Sequence, residues 1–363
     1  MRRSASALLI VLLAAGGSAA WAYTRVDAAG PLPATAAIMV PHGGLSQLTD
    51  GLVQQGVVAR PLLFRLAALA TFADGPLHAG ELVFPAQASI RQALAILRTA
   101  KPVQHRLTIP EGWTARQVAS LLDRDQAATG SAAPPAEGTI LPETYIFERG
   151  TSREQLLDRG RVAMDRALDK AWAGRAPGSV LTSAHEALVL ASIVERETAK
   201  PDERPLIAGV FLNRLRLGQR LQSDPTVVYG ASGGAGVLDH GITHAELDAD
   251  TPYNTYRIAG LPPGPICMPG AAALTAVTHP AATDALYFVA DGTGGHAFSR
   301  TQEEHLHRVA QWRAIEHARA AAPGSTPGSA PGSTPGSAPG SAHVPAPLSR
   351  PVTPAAANAT PPP

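Results

Sequence analysis

The stretch ASIVERETAKPDERP, residues 191 to 205, carries two carboxylates two residues apart, Glu195 and Glu197, at the end of an apolar run. A carboxylate among apolar neighbours loses hydration, so its pKa rises unless cations or hydrogen-bond donors hold the charge. A glutamate raised in this way is a proton donor near neutral pH, the task of a general acid. On a helix, Glu197 continues the line Leu190–Ile193–Val194, while Glu195 continues the smaller, more polar line Leu188–Ala191–Ser192. Residues two apart do not share a helix face, so only one of these carboxyls can look into a given pocket. Glu197, on the apolar line, is the candidate acid. The same spacing also fits a structural glutamate at a helix end, paired with Arg196, Lys200 or Arg204.

Two later segments offer groups that could hold a substrate. FLNRLRLGQRLQSDPTVVYG (211–230) contains Gln222, Ser223, Asp224 and Thr226, and TPYNTYRIAGLPPGPICMPG (251–270) contains Tyr253, Asn254, Thr255 and Tyr256. Amides, hydroxyls and aromatic faces suit a sugar polymer, although loops built only for structure use the same residues. The glycines of DGTGGHAFSRTQEEH (291–305) lack the Gly-Lys-Ser/Thr ending of a phosphate-binding loop. His296 and Ser299 in that segment lack a nucleophile elbow. His185-Glu186 begins like a zinc-protease motif but meets Val189, and His305 and His307 are two apart on a helix. With one cysteine, Cys267, neither an internal disulfide nor a cysteine zinc cage can form. No metal or cofactor is expected. Thirty basic against 29 acidic residues, a net charge of +1, gives no pull toward nucleic acid.

The elements that must position these residues follow from pattern. Helices are expected near 152–173, 183–199, 202–217 and 301–319, with Gly218 ending the third. LYFVAD (286–291) reads as a strand, and the Pro-Gly-dense 260–270 as an irregular binding loop. Upstream, 38–48, 82–94 and 107–122 share one plan: a brief β run, a proline, small residues, then an amphipathic helix. Ser46, Ser89 and Thr114 stand where N-caps belong. Units this small pair their strands into one compact module, or are coincidental β-α pieces of an α+β domain. Residues 124–138 read as a linker or surface loop.

The ends differ in kind. Arg2 and Arg3 precede an uncharged run from Ala5 to Tyr23, followed by Arg25. That run is long enough to span a bilayer with the arginines inside, and the rest of the chain is then exported. Ala20-Trp21-Ala22 also fits a signal-peptidase site, and a cleaved leader exports the chain equally. From 321 onward the chain becomes a Pro/Gly/Ser/Ala repeat with almost no charge, the composition of a disordered tail.

In ASIVERETAKPDERPLIAGVFLNRLRLGQRLQSDPTVVYG (191–230), TPYNTYRIAGLPPGPI (251–266) and YFVADGTGGHAFSRTQEEH (287–305), the chain resembles the endolytic murein transglycosylases, the YceG-like family. The resemblance covers about residues 36 to 318. It implies an α+β fold: a short cytoplasmic end and transmembrane anchor (1–25), a LysM-like region (36–123), a loop (124–138) and a catalytic domain (139–320), before the tail (321–363). It implies a lyase of the inner membrane facing the periplasm, cutting nascent peptidoglycan strands between N-acetylmuramic acid and N-acetylglucosamine, with penicillin-binding synthases as partners. The family's catalytic glutamate maps onto Glu197. A lytic transglycosylase uses no water, so one glutamate can protonate the glycosidic oxygen and then deprotonate the C6 hydroxyl, leaving a 1,6-anhydro end. Gln222, Asp224, Asn254 and Tyr256 are the candidates to hold sugars, with His296 and Ser299 lining the same groove. The family tends to have Asn where this chain has Met268. Glu143, in EGTILPETYIF (137–147), is a possible second carboxylate, taken as structural or substrate-binding.

Overall fold

The computed structural model describes Trp21 and residues 23 to 321. The expected anchor lies outside the described residues except at its last positions, and the tail lies outside them beyond Ala321. No helix among the described residues is long and apolar enough to cross a membrane. The fold is mixed α and β, and its contacts divide into two compact units. The first holds the chain to Thr108 with Ser120–Ala133 and Thr144–Asp158; the second holds Ile109–Ala119, Pro134–Glu143 and everything from Arg159.

In the first unit, β1 (Ala36–Val40) pairs antiparallel with β2 (Gly80–Phe84), Ile38 opposite Leu82. Between them run α1 (Leu45–Gln54) and α2 (Pro61–Ala70), and α3 (Ile90–Thr99) follows β2. Val40, Leu52, Phe64, Leu82, Phe84 and Leu97 close one core with no exposed surface. The third repeat departs from the expected single module. Its strand, β3 (Gln104–Thr108), pairs antiparallel with β4 (Thr144–Glu148) instead of joining the first two. What ties it to β2 is polar: Glu81 bonds His105 Nε2 at 2.5 Å and Arg149 Nε at 3.0 Å.

The three expected caps have three outcomes. Ser89 caps α3 in a reciprocal box, its hydroxyl accepting from Gln92 N–H at 3.2 Å and its own N–H donating to Gln92 Oε1 at 2.9 Å. Ser46 falls inside α1, where Gly44 is the N-cap and donates its N–H to Gln47 Oε1. Thr114 precedes α4 (Ala115–Arg124), but its buried hydroxyl has no partner.

The second unit is built around α6 (Ala184–Glu197), reached through α5 (Arg153–Ala173). Ser183 caps α6, and every residue from Ala187 to Glu195 is buried. Such a helix must be covered on several sides. The cover is α7 (Arg204–Arg216), α8 (Asp224–Ala231) and α10 (Ala271–Thr278), the short α9 (His244–Asp248) leaning on α8. Leu190, Ile193, Ile207, Phe211, Leu274 and Val277 fill the centre. Gly218, at φ +66°, ends α7 as expected. The unit closes with the antiparallel hairpin β5 (Tyr287–Ala290) and β6 (His296–Ser299), covered by α11 (Gln302–Ala321).

Candidate active site

The last turn of α6 separates its charged side chains completely. Glu195 points into the protein, where its carboxylate accepts from Arg204 Nη2 at 2.8 Å and from Gly270 N–H at 2.9 Å. Arg204 also reaches Glu111 at 3.2 Å, and burial raises the Glu195 pKa. Arg196 takes neither glutamate; it donates to the carbonyls of Gly112 (3.1 Å) and Gly236 (2.7 Å). The pairing of a structural glutamate thus belongs to Glu195, not to Glu197.

Glu197 is half-buried and accepts a hydrogen bond from the Ser223 hydroxyl at Oε1. Desolvation raises its pKa to about 7; the Ser223 bond and the Arg196 charge oppose the rise, and the Asp224 charge adds to it. The Ser223 contact has a local cause. Ser223 occupies the N-cap position of α8 but makes no side-chain cap, because its hydroxyl is turned to Glu197. Thr226 ties the helix start instead, donating to Ser223 C=O at 2.6 Å and sharing a 2.8 Å contact with the Thr255 hydroxyl.

The residue before Ser223 is strained. Gln222 sits at φ +54°, a left-handed conformation rare for a residue with a Cβ and concentrated at functional sites. It is held from two sides: its N–H donates to Thr255 C=O at 3.2 Å and its side-chain oxygen accepts from Arg214 Nη2. Arg214 is buried, and it also grips the carbonyls of Arg220 (2.9 Å) and Leu286 (3.1 Å). Asp224 accepts from the Tyr256 hydroxyl at 2.6 Å, and burial together with the Asp224 charge pushes the Tyr256 pKa far up, so it stays a donor. Gln222, Asp224 and Tyr256 therefore meet around Ser223, beside Glu197.

Asn254 does not serve as expected. It is 1 % exposed; its amide nitrogen donates to the carbonyls of Glu246, Leu247 and Ala249, and its oxygen accepts Tyr256 N–H at 3.0 Å. With those contacts it fixes the loop that presents Tyr256 and has nothing left for a sugar. His296 bonds Glu203 through Nδ1 at 2.7 Å and through its backbone N–H at 3.0 Å, and Glu203 in turn accepts from the Thr198 hydroxyl at 3.2 Å. It thus braces the residue after Glu197. Ser299 is buried in β6 with its hydroxyl unpartnered and makes no bond to this group. Met268 is fully buried, its sulfur 3.4 Å from Ile140 N–H and its backbone bonded to Trp113 and Gly112. Its side chain packs the interior and is closed to a ligand.

Glu143 is exposed, and the carboxyl that matters in its segment is Glu137. Glu137 accepts from Ala115 N–H at 2.9 Å, capping α4 from a distant part of the chain, and from the Tyr229 hydroxyl of α8 at 3.2 Å. Desolvation raises its pKa to about 7. The Tyr229 ring packs on Tyr253 at 4.8 Å between centroids. Glu137 and Arg214 were not singled out from the sequence, and Ser223 was named only as one of a polar cluster: Glu137 meets Tyr229 across 92 residues and Ser223 meets Glu197 across 26, although Ser-Asp-Pro is a helix-start signal. Among the described residues there is no cluster of His, Cys, Asp and Glu able to hold a metal ion. Three carboxyls are raised to about 7, but Glu137 and Glu195 each accept from two donors, whereas Glu197 accepts only from the Ser223 hydroxyl and has the Asp224–Tyr256 pair and the strained, clamped loop beside it.

A family model described as the YceG-like family matches residues 38–311. A Streptococcus pneumoniae protein named endolytic murein transglycosylase is 29% identical over 359 residues, covering 84% of this chain and 64% of that protein. A Bacillus subtilis protein of the same name is 36% identical over 172 residues, covering 47% of this chain and 46% of its own. The chain thus spans less than two thirds of the length of these curated relatives. A 2.6 Å crystal structure of a YceG-like protein from Listeria monocytogenes is 28% identical, with a TM-score of 0.47, and covers 75% of this chain and 98% of that one. Because the YceG-like family model matches residues 38–311, three quarters of its length, this chain belongs to the YceG-like family.

Proposed function

We propose that the chain is an endolytic lytic transglycosylase of peptidoglycan, with Glu197 as its acid. The observation that carries this reading is a carboxyl with a pKa of about 7, held by a single hydroxyl, next to the Asp224–Tyr256 pair. Protonated Glu197 donates to the oxygen between N-acetylmuramic acid and N-acetylglucosamine as positive charge grows at C1. Asp224, close enough to raise Glu197, lends its negative charge to that centre. The ionised Glu197 then takes the proton of the C6 hydroxyl, whose oxygen closes on C1. The product is a 1,6-anhydro end, and no second carboxyl is needed to activate water. Cutting inside nascent strands in this way ends their elongation.

The names of the relatives support this activity, and the N-terminal sequence supports an anchor at 1–25 that places both units in the periplasm beside peptidoglycan synthases. The β1-α1-α2-β2 order of the first unit supports a LysM-like, glycan-binding role. The test is mass spectrometry of purified glycan strands incubated with wild type or Glu197→Gln. Anhydromuramic ends from wild type alone are expected. Reducing ends point to a hydrolase using Asp224 as second carboxyl, and strands bound but uncut by wild type point to a scaffold; either result overturns the proposal.

A further inference from the structure

The first unit carries an apolar surface that nothing among the described residues covers. On α2, Phe64 and Ala68 face the core at 0% and 5% exposure, while Leu62 (71%), Leu66 (55%) and Leu69 (62%) stand in one stripe on the opposite side. Their spacing of four and three residues aligns them along the helix, and Phe72, 78% exposed, extends the stripe past its end. Single exposed leucines are ordinary, but four large apolar side chains within eleven residues mark a contact surface.

We propose that this face of α2 lies in the headgroup–acyl boundary of the membrane that holds the chain. The inference rests on the anchor reading above and adds a second contact to it. Charge favours lipid as the occupant: α2 has no acidic residue, and Arg60, with no acidic partner among the described residues, stands at its start. The two acids at its rim are already paired, Asp50 with Arg65 at 2.7 Å and Asp74 with Arg98 at 3.8 Å. An amphipathic helix with aliphatic and phenyl groups on one side and arginines beside them is suited to lie in an interface, not to span it. Continuity favours lipid as well. The uncharged run Ala5–Tyr23 leads directly into this unit. Its last residues, Trp21 and Tyr23, are exposed aromatics with Arg25 and Arg91 over their rings at 5.7 and 5.3 Å, the pairing of residue types found at bilayer surfaces. A unit tethered there meets the membrane at high effective concentration, so a weak second contact becomes populated.

The test uses the full chain reconstituted in phosphatidylethanolamine–phosphatidylglycerol vesicles, with an environment-sensitive dye on Leu66→Cys. Cys267 is fully buried, so the new thiol is the one labelled. The expected result is a blue shift and loss of emission with lipids brominated near the headgroup, both reversed when Leu62→Asp and Leu69→Asp are added. A label that stays in water while the chain floats with the vesicles overturns the proposal and leaves the anchor standing. A label shielded without lipid quenching, with shielding lost on dilution of the chain, assigns the face to a second copy and also overturns it. A chain that does not float overturns both readings.

Discussion

Glu197 links chemistry to stability, and the sign of each effect follows from its raised pKa. As the acid of the proposed reaction it must carry its proton, so kcat should fall as pH rises through about 7, and the fall should vanish only with activity itself in Glu197→Gln. Stability runs the same way. Below about 4.5 the folded and unfolded states both hold the proton; between about 4.5 and 7 the unfolded chain releases it first, so folding weakens as pH rises, and above 7 the full cost is present. Glu197→Gln should therefore raise Tm at pH 8, by a stability gain on the order of 1–2 kcal/mol, and leave it nearly unchanged at pH 4. A thermal-unfolding series against pH decides this, and equal effects at both pH values would falsify it. Tyr256→Phe should lower kcat by roughly tenfold, about 1.4 kcal/mol, by removing one charge-assisted bond to Asp224 while Tm moves little. At this scale the sequence disclosed the residues whose own type and neighbours define them. Glu197 stood out because its neighbours are apolar, and Asp224 and Tyr256 because they sit in motif segments. The sequence could not disclose that Asn254 spends its amide on three carbonyls, or that Glu137 meets Tyr229, since both depend on how remote segments fold together.

Elements were legible where local signals agree with packing. The expected helices at 152–173, 183–199, 202–217 and 301–319 appear as α5, α6, α7 and α11 with every end within two residues. Ser152, Ser183 and Thr301 cap three of the four through their hydroxyls, and Gly218 ends the fourth. The helix α8 was missed because Asp-Pro-Thr-Val-Val-Tyr is β-branched and aromatic, and its helical form comes from packing on α6. The β4 and β6 strands went unseen for a related reason: each is only four or five residues long and is defined by its partner. Two substitutions separate the local from the tertiary contributions. Ser89→Ala removes a cap and should cost about 1 kcal/mol in denaturant unfolding. Arg204→Ala leaves Glu195 buried without its cation and should cost roughly 2–4 kcal/mol, more than the cap although both changes delete one side chain. A smaller loss for Arg204 than for Ser89 would mean that Glu195 is held mainly by Gly270 N–H.

At the scale of the whole molecule, the question is where the chain stops contributing to the fold. The family match ends at residue 311, but α11 continues beyond it. Val309 is buried under the β5–β6 hairpin, the Cβ that Gly292 lacks would stand 3.1 Å from Ile315, and Arg319 donates to Gly292 C=O. Gly292 itself needs its left-handed φ of +84°, so hairpin turn and terminal helix are fitted to one another. The hairpin in turn carries His296, which bonds Glu203, and Glu203 holds Thr198 next to Glu197. The covered hairpin is thus connected by two hydrogen bonds to the residue that follows Glu197. The composition of residues 322–363 offers almost nothing to bury, so removing them should leave both Tm and the rate of strand cleavage unchanged. Ending the chain at Arg300 should do more than lower Tm: with β5–β6 uncovered, His296 loosens its hold on Glu203, and kcat should drop by about tenfold or more even at temperatures where the truncated chain is folded. A truncated chain that loses stability but keeps full kcat below its melting range would show that α11 only covers the core and that the His296–Glu203–Thr198 connection does not position Glu197.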